Sequence, residues 1–160
     1  MSVIDELVAN NAAYQGPGPI PSRPVRGLAI VTCMDARIDV LGMLGIEAGA
    51  AHVIRNAGGI VTDAEIRSLT ISQRVLGTRE VMIVHHTDCG MLGLAEDEFT
   101  TLLHAEVGIA PTWTVGAFAD LDEDVRAGVA LIRASPFVPH TDSVRGFVLD
   151  VESGRLREVC

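Results

Sequence analysis

Two cysteines and a histidine stand where strand-like runs end. Cys33 closes the run Gly27-Leu-Ala-Ile-Val-Thr-Cys33, and His86 and Cys89 follow Val81-Met-Ile-Val84. Two thiols and an imidazole are good zinc ligands, and three protein ligands leave a fourth position free, as at a catalytic rather than a structural zinc. Taken alone, the same three residues read more readily as buried, inert thiols and a satisfied core histidine. Asp35 and Arg37 add weight to the metal reading. In Cys33-Met-Asp-Ala-Arg37 the turn that places the first candidate ligand also places a carboxylate and a guanidinium. Arginine pairs with carboxylates bidentately and stays charged. Such a pair either stabilises the turn or keeps a carboxylate ionised beside the open metal position. His85 is the rival for His86, but only His86 has the His-x-x-Cys spacing that lets both side chains turn toward one ion. His52, His104 and His140 have no comparable setting and read as surface or packing residues. Cys160, the last residue, reads as inert.

The elements that must position these groups alternate between strand and helix. Gly27–Cys33, His52–Arg55, Glu80–Val84 and Gly146–Val151 are short and rich in β-branched residues, the pattern of strands buried on both faces. Between them, Val40–Leu44 reads as a short helix ending at Gly45, and Asn56–Gly59 as a tight loop. Thr62-Asp-Ala-Glu65 has the form of a capping box, opening a helix with Ile66, Leu69, Gln73 and Leu76 on one face and Gly77 at its end. Met91–Val107 is expected to be helical throughout. A further helix starts near Asp120, carries Val125, Val129 and Ile132 in register, and halts before Pro136. Glu152-Ser-Gly154 turns the last long strand back into an edge hairpin with Arg155–Val159. This alternation predicts an α/β fold in one domain: a mainly parallel sheet, helices on both faces and a C-terminal edge hairpin. Ligands bind such sheets at the carboxyl ends of the strands, where Cys33, His86 and Cys89 all fall. Residues 1–26, rich in Pro and Gly from Asn11 onward, read as an N-terminal arm ahead of a single catalytic domain over residues 27–160.

Composition narrows the function. The formal net charge is −9 with no basic cluster, so neither nucleic acid nor an anionic membrane is expected as a partner. The chain contains no lysine, which removes lysine Schiff-base chemistry and a P-loop lysine from consideration. The apolar runs stop well below the roughly 20 residues of a membrane helix. Met1–Asn10 carries Asp5 and Glu6 and does not read as a secretory signal, so a cytoplasmic protein is expected. Three cysteines in that setting suggest metal or catalysis rather than a disulfide framework.

Cys33-x-Asp35-x-Arg37 followed by His86-x-x-Cys89-Gly90 resembles the active-site signature of the β-class carbonic anhydrases. Val53-Ile-Arg55-Asn56-Ala57-Gly58 matches the Arg-Asn loop that lies between those motifs in the family. The resemblance runs from about Ala29 to Gly90 and is to the compact subgroup, which lacks a long N-terminal helical extension. Some members place a Trp three residues before the first Cys, in a noncatalytic bicarbonate pocket; here that position is Ile30. The resemblance implies reversible hydration of CO2 to bicarbonate and a proton by zinc-bound hydroxide. It implies one Zn2+ per chain on Cys33, His86 and Cys89, with Asp35 accepting a hydrogen bond from the hydroxide. Arg37 would hold Asp35, and the Gly90 amide would help cradle bicarbonate. It also implies a homodimer or tetramer, with the N-terminal segment lying over a neighbouring subunit. Relatives on the same scaffold hydrolyse carbonyl sulfide or carbon disulfide, which is the nearest alternative. A noncatalytic zinc-stabilised binding protein, or an enzyme using Cys33 as nucleophile, are the others.

Overall fold

The computed structural model describes residues 2–160. In chain order it contains α1 (Val3–Asn11), β1 (Leu28–Cys33), α2 (Val40–Leu44), β2 (Ala51–Asn56), α3 (Asp63–Arg74) and β3 (Glu80–His86). These are followed by α4 (Glu96–Val107), α5 (Leu121–Ala134), β4 (Val144–Leu149) and β5 (Leu156–Glu158). The five strands form one sheet in the order β2-β1-β3-β4-β5. The first four are mutually parallel, and β5 returns antiparallel to β4 as the expected edge hairpin.

Alternation along the strands divides the core between two faces. Ala29, Val31, Val81, Ile83 and Val144 meet Leu69 of α3 and Val129 and Ile132 of α5. On the opposite face Ile30, Val84 and Leu149 meet Val40 of α2, with Met43 and Leu44 packed alongside. Helices thus cover both faces, and the buried parallel strands are correspondingly apolar throughout. The Thr62 capping box forms as expected, the Glu65 carboxylate accepting from the Thr62 amide at 2.9 Å.

One stretch differs from the sequence reading. The helix expected over Met91–Val107 begins only at Glu96. Residues 91–95 are drawn out of helical geometry because Leu92 bridges Phe118 and the Gly93 amide donates to the Phe118 carbonyl at 2.8 Å. At the N-terminus, Val3–Asn11 is helical, held by a capping box between Ser2 and Asp5. None of its residues is buried, and Val3, Ile4, Leu7 and Val8 all face out.

Strand order places the site. From β1 the chain passes through α2 to β2 on one side, then crosses back through α3 to β3 on the other side of β1. The reversal opens a crevice between the carboxyl ends of β1 and β3, where doubly wound sheets bind ligands. Cys33 is the last residue of β1 and His86 the last of β3.

Candidate metal centre

Cys33, His86 and Cys89 converge at that crevice. All three are buried, and their ligand atoms lie within 4.8 Å of one another. The two sulfurs are 4.0 Å apart. Two thiolates on one tetrahedral zinc, each at about 2.3 Å, stand about 3.8 Å apart, so this spacing already suits a single ion. His86 supplies an independent test of fit. Its Nδ1 donates to the Thr87 carbonyl at 2.8 Å, which leaves Nε2 as the nitrogen with the free lone pair. That Nε2 is fully buried and has no hydrogen-bond partner among the described residues. An orphaned buried acceptor is costly unless something binds it, and a metal between two sulfurs satisfies it. Burial lowers the His86 pKa and so favours the neutral imidazole that a metal requires. Burial pushes the Cys89 thiol up, with the neighbouring Cys33 sulfur adding to the shift. Metal uptake must therefore release a proton there.

The first ligand is held from two sides. Arg55, on β2, donates to three backbone carbonyls of the loop that begins at Cys33. Its Nε reaches Cys33 O at 2.9 Å, Nη2 reaches Asp35 O at 2.7 Å and Nη1 reaches Ile38 O at 3.3 Å. Gly59 lies directly against the Cys33 backbone. It sits at φ +74°, and a Cβ there would come within 2.7 Å of Cys33 N and 2.8 Å of Thr32 C.

Asp35 and Arg37 form the expected pair. The Asp35 side chain accepts from the Arg37 amide at 2.9 Å, the short-range turn that aspartate favours. The guanidinium grips both carboxylate oxygens, Nε to Oδ1 at 3.0 Å and Nη2 to Oδ2 at 2.7 Å. These hydrogen bonds hold the Asp35 carboxyl far below the usual carboxylate range. Asp35 Oδ2 also lies 3.9 Å from His86 Nε2, at the mouth of the donor set. Gly90 follows Cys89 on the exposed side, with no atom within 4 Å of where its Cβ would be.

His85, the rival ligand, points elsewhere. Its Nε2 lies 2.6 Å from Asp124 Oδ2 on α5, and its ring packs 5.3 Å from that of Phe118. Successive residues of a strand face opposite sides of the sheet, so His85 and His86 cannot share one ion. Asp88 escaped the sequence reading. It joins Arg37 from the far side, accepting from Nη1 at 2.7 Å, and no spacing rule links residues 51 positions apart.

Comparison with known proteins agrees with this geometry. The carbonic anhydrase family model matches residues 28–115. The chain is 53% identical to β-carbonic anhydrase 1 of Mycobacterium tuberculosis, over 99% of each chain. It belongs to the β-carbonic anhydrase family. Its fold superposes on the crystal structure of the carbonic anhydrase of Streptococcus mutans with a TM-score of 0.93. That alignment covers 100% of this chain and 99% of the other, at 42% identity. A carbon disulfide hydrolase of Acidianus is 35% identical over 83% of this chain and 77% of its own length. As a β-carbonic anhydrase the chain is an enzyme.

Proposed function

We propose that this enzyme hydrates CO2 reversibly to bicarbonate and a proton, with one zinc ion held by Cys33, His86 and Cys89. The observation that carries the reading is the unpartnered, buried His86 Nε2 facing two sulfurs 4.0 Å apart, with an ionised carboxylate 3.9 Å away. A zinc ion bound there supplies Lewis acidity and brings the ionisation of water down toward neutral pH.

The chain's own residues do the rest. Once metal uptake has displaced their protons, the two sulfurs would bind as thiolates beside one neutral nitrogen, a combination that favours zinc among the common divalent ions. Asp35, kept ionised by Arg37, is a hydrogen-bond acceptor beside the reacting oxygen and orients it toward CO2. Arg37 restrains Asp35 from becoming a ligand itself. The Gly90 amide would help cradle bicarbonate, and the exposed glycine, with nothing within 4 Å of where its Cβ would be, supports this by leaving room for it. The proton released passes to solvent.

Two features bear on assembly and location. A helix of nine residues is marginal in water by itself, and the apolar side chains of α1 find no cover among the described residues. Both points support a homodimer or tetramer in which α1 rests on a neighbouring subunit. Two thiols that must stay reduced to bind metal support a cytoplasmic setting. Among the described residues no helix is long and apolar enough to cross a membrane.

Hydrolysis of carbonyl sulfide or carbon disulfide is the rival activity on this scaffold. The full-length 53% identity to a β-carbonic anhydrase, against 35% to a carbon disulfide hydrolase, favours CO2. Rates for CO2, carbonyl sulfide and carbon disulfide measured side by side on the zinc-loaded protein test the choice. CO2 hydration should exceed the others; turnover of the sulfur compounds alone would reject it.

A further inference from the structure

The Arg37 guanidinium is held along two edges, and only one faces Asp35. Nε and Nη2 serve the two Asp35 oxygens. Nη1 donates to Asp88 Oδ2 at 2.7 Å, and Nη2 donates in addition to the Asp88 main-chain carbonyl at 2.9 Å. The two carboxylates use different protons, so they do not compete for the cation. Asp88 lies in the turn between His86 and Cys89, and the guanidinium therefore ties the β1 ligand loop to the β3 ligand loop. Among the described residues Asp88 is the only one other than glycine with positive φ, at 54°. Aspartate and asparagine tolerate this region better than other side chains do. The conformation lets one residue present both its carbonyl and its carboxylate to the same guanidinium.

We propose that Asp88 is a positioning residue for the reaction: it fixes Arg37 against the Cys89 loop and so keeps Asp35 off the metal's fourth position. The proposal rests on the roles given above to Asp35 and Arg37. The physical reason is reach. The Arg37 side chain is 48% exposed and carries several freely rotating bonds. Held by Asp35 alone, it could swing with that carboxylate or let it go. Anchored at its other edge to the loop bearing His86 and Cys89, it holds Asp35 at a set distance from them.

The test uses Asp88→Asn, which keeps a residue suited to positive φ and removes the charge, and Asp88→Gly, which keeps the backbone and removes the side chain. Each is made in the wild-type and Arg37→Ala backgrounds. Zinc content, zinc-edge X-ray absorption and the kinetics of bicarbonate dehydration are measured on each protein. Both single variants should keep one zinc per chain. Their ratio of carboxylate-bound to carboxylate-free metal should rise about two- to fivefold, the scale of an exposed ion pair. The KM for bicarbonate should rise with the blocked fraction, because substrate competes with Asp35 for one position. In the Arg37→Ala background the Asp88 substitutions should change nothing further. Unchanged coordination and KM in both single variants would overturn the proposal. So would an equal effect in the Arg37→Ala background, since Asp88 would then act only by shaping its turn. If Arg37→Ala alone leaves Asp35 off the metal, the underlying reading of the pair falls and the proposal falls with it.

Discussion

Replacing Gly59 by alanine should damage metal binding more than folding. Two costs arise, and they can be separated. At φ +74° alanine carries the left-handed penalty of about 1–2 kcal/mol. The added Cβ also meets Cys33 N at 2.7 Å and Thr32 C at 2.8 Å, against an ordinary contact of 3.4 Å or more. These are backbone atoms that no rotamer can withdraw, so the strand end must move by about 0.7 Å, the difference between 3.4 and 2.7 Å. Metal sites tolerate about 0.2 Å in ligand position. A shift of that size at Cys33 should weaken zinc binding about 10- to 100-fold, as loss of supporting contacts around a metal commonly does. The total loss of stability should be about 2–4 kcal/mol, with backbone displacement adding to the φ penalty. For a chain of this length that lowers Tm by roughly 5–15 °C. Gly154→Ala is the control, because Gly154 has φ +68° and nothing within 4 Å of an added methyl. It should show the φ penalty and normal zinc affinity. The assay is thermal unfolding of both variants with zinc and with chelator, together with competition against a chromophoric chelator. Equal Tm shifts and equal zinc affinities for the two variants would mean that the contact with Cys33 has no bearing on the metal.

Three further outcomes follow from particular contacts. Asp124→Ala should destabilise the fold by about 1–3 kcal/mol, because it strips the buried His85 of its hydrogen bond. Asp124→Asn, which can still accept from Nε2, should lose less in thermal unfolding; equal losses would discount the bond. Zinc affinity should rise with pH through neutrality, since burial raises the Cys89 pKa and protons compete with the metal for that sulfur. For the metal-free protein the sign is the reverse: stability from this group is present below the ordinary thiol pKa and is lost as pH rises through the elevated folded value. Chelator competition around neutral pH and urea unfolding of metal-free protein in the alkaline range check the two trends, and pH-independent zinc affinity would contradict the first. Leu7→Glu together with Val8→Glu should shift the sedimenting species toward monomer while leaving the described core folded; an unchanged sedimentation profile would separate α1 from assembly.

The donor set was legible because its chemistry sits at strand ends. Cys33 and His86 each follow a continuous apolar run, and a parallel sheet brings such ends together whatever the intervening loops do. The Thr62–Glu65 box and the 3.6-residue spacing of Val125, Val129 and Ile132 are likewise local signals, and the helices they predict are present. Residues 91–95 misled because Met91, Leu92 and Leu94 are apolar enough to suggest a helix. What overrides that local preference is a long-range bridge to Phe118. The boundaries of β4 moved for a similar reason. Pairing with β3 starts the strand at Val144 rather than Gly146, and a turn from Asp150, whose carboxylate accepts from Ser153 at 2.7 Å, ends it before Val151. Asp88 and Arg55 act through partners 51 and about 20 residues away, so their contacts exist only once the sheet order is known.

One zinc on Cys33, His86 and Cys89 is what should make this chain a CO2 hydratase. Titrating metal-free protein with zinc while following CO2 hydration puts that to the test. Activity should be absent at the start, rise in proportion to bound zinc and level off at one zinc per chain. Full activity in the metal-free protein, or one tightly bound zinc per chain without CO2 hydration, would show the assignment to be wrong.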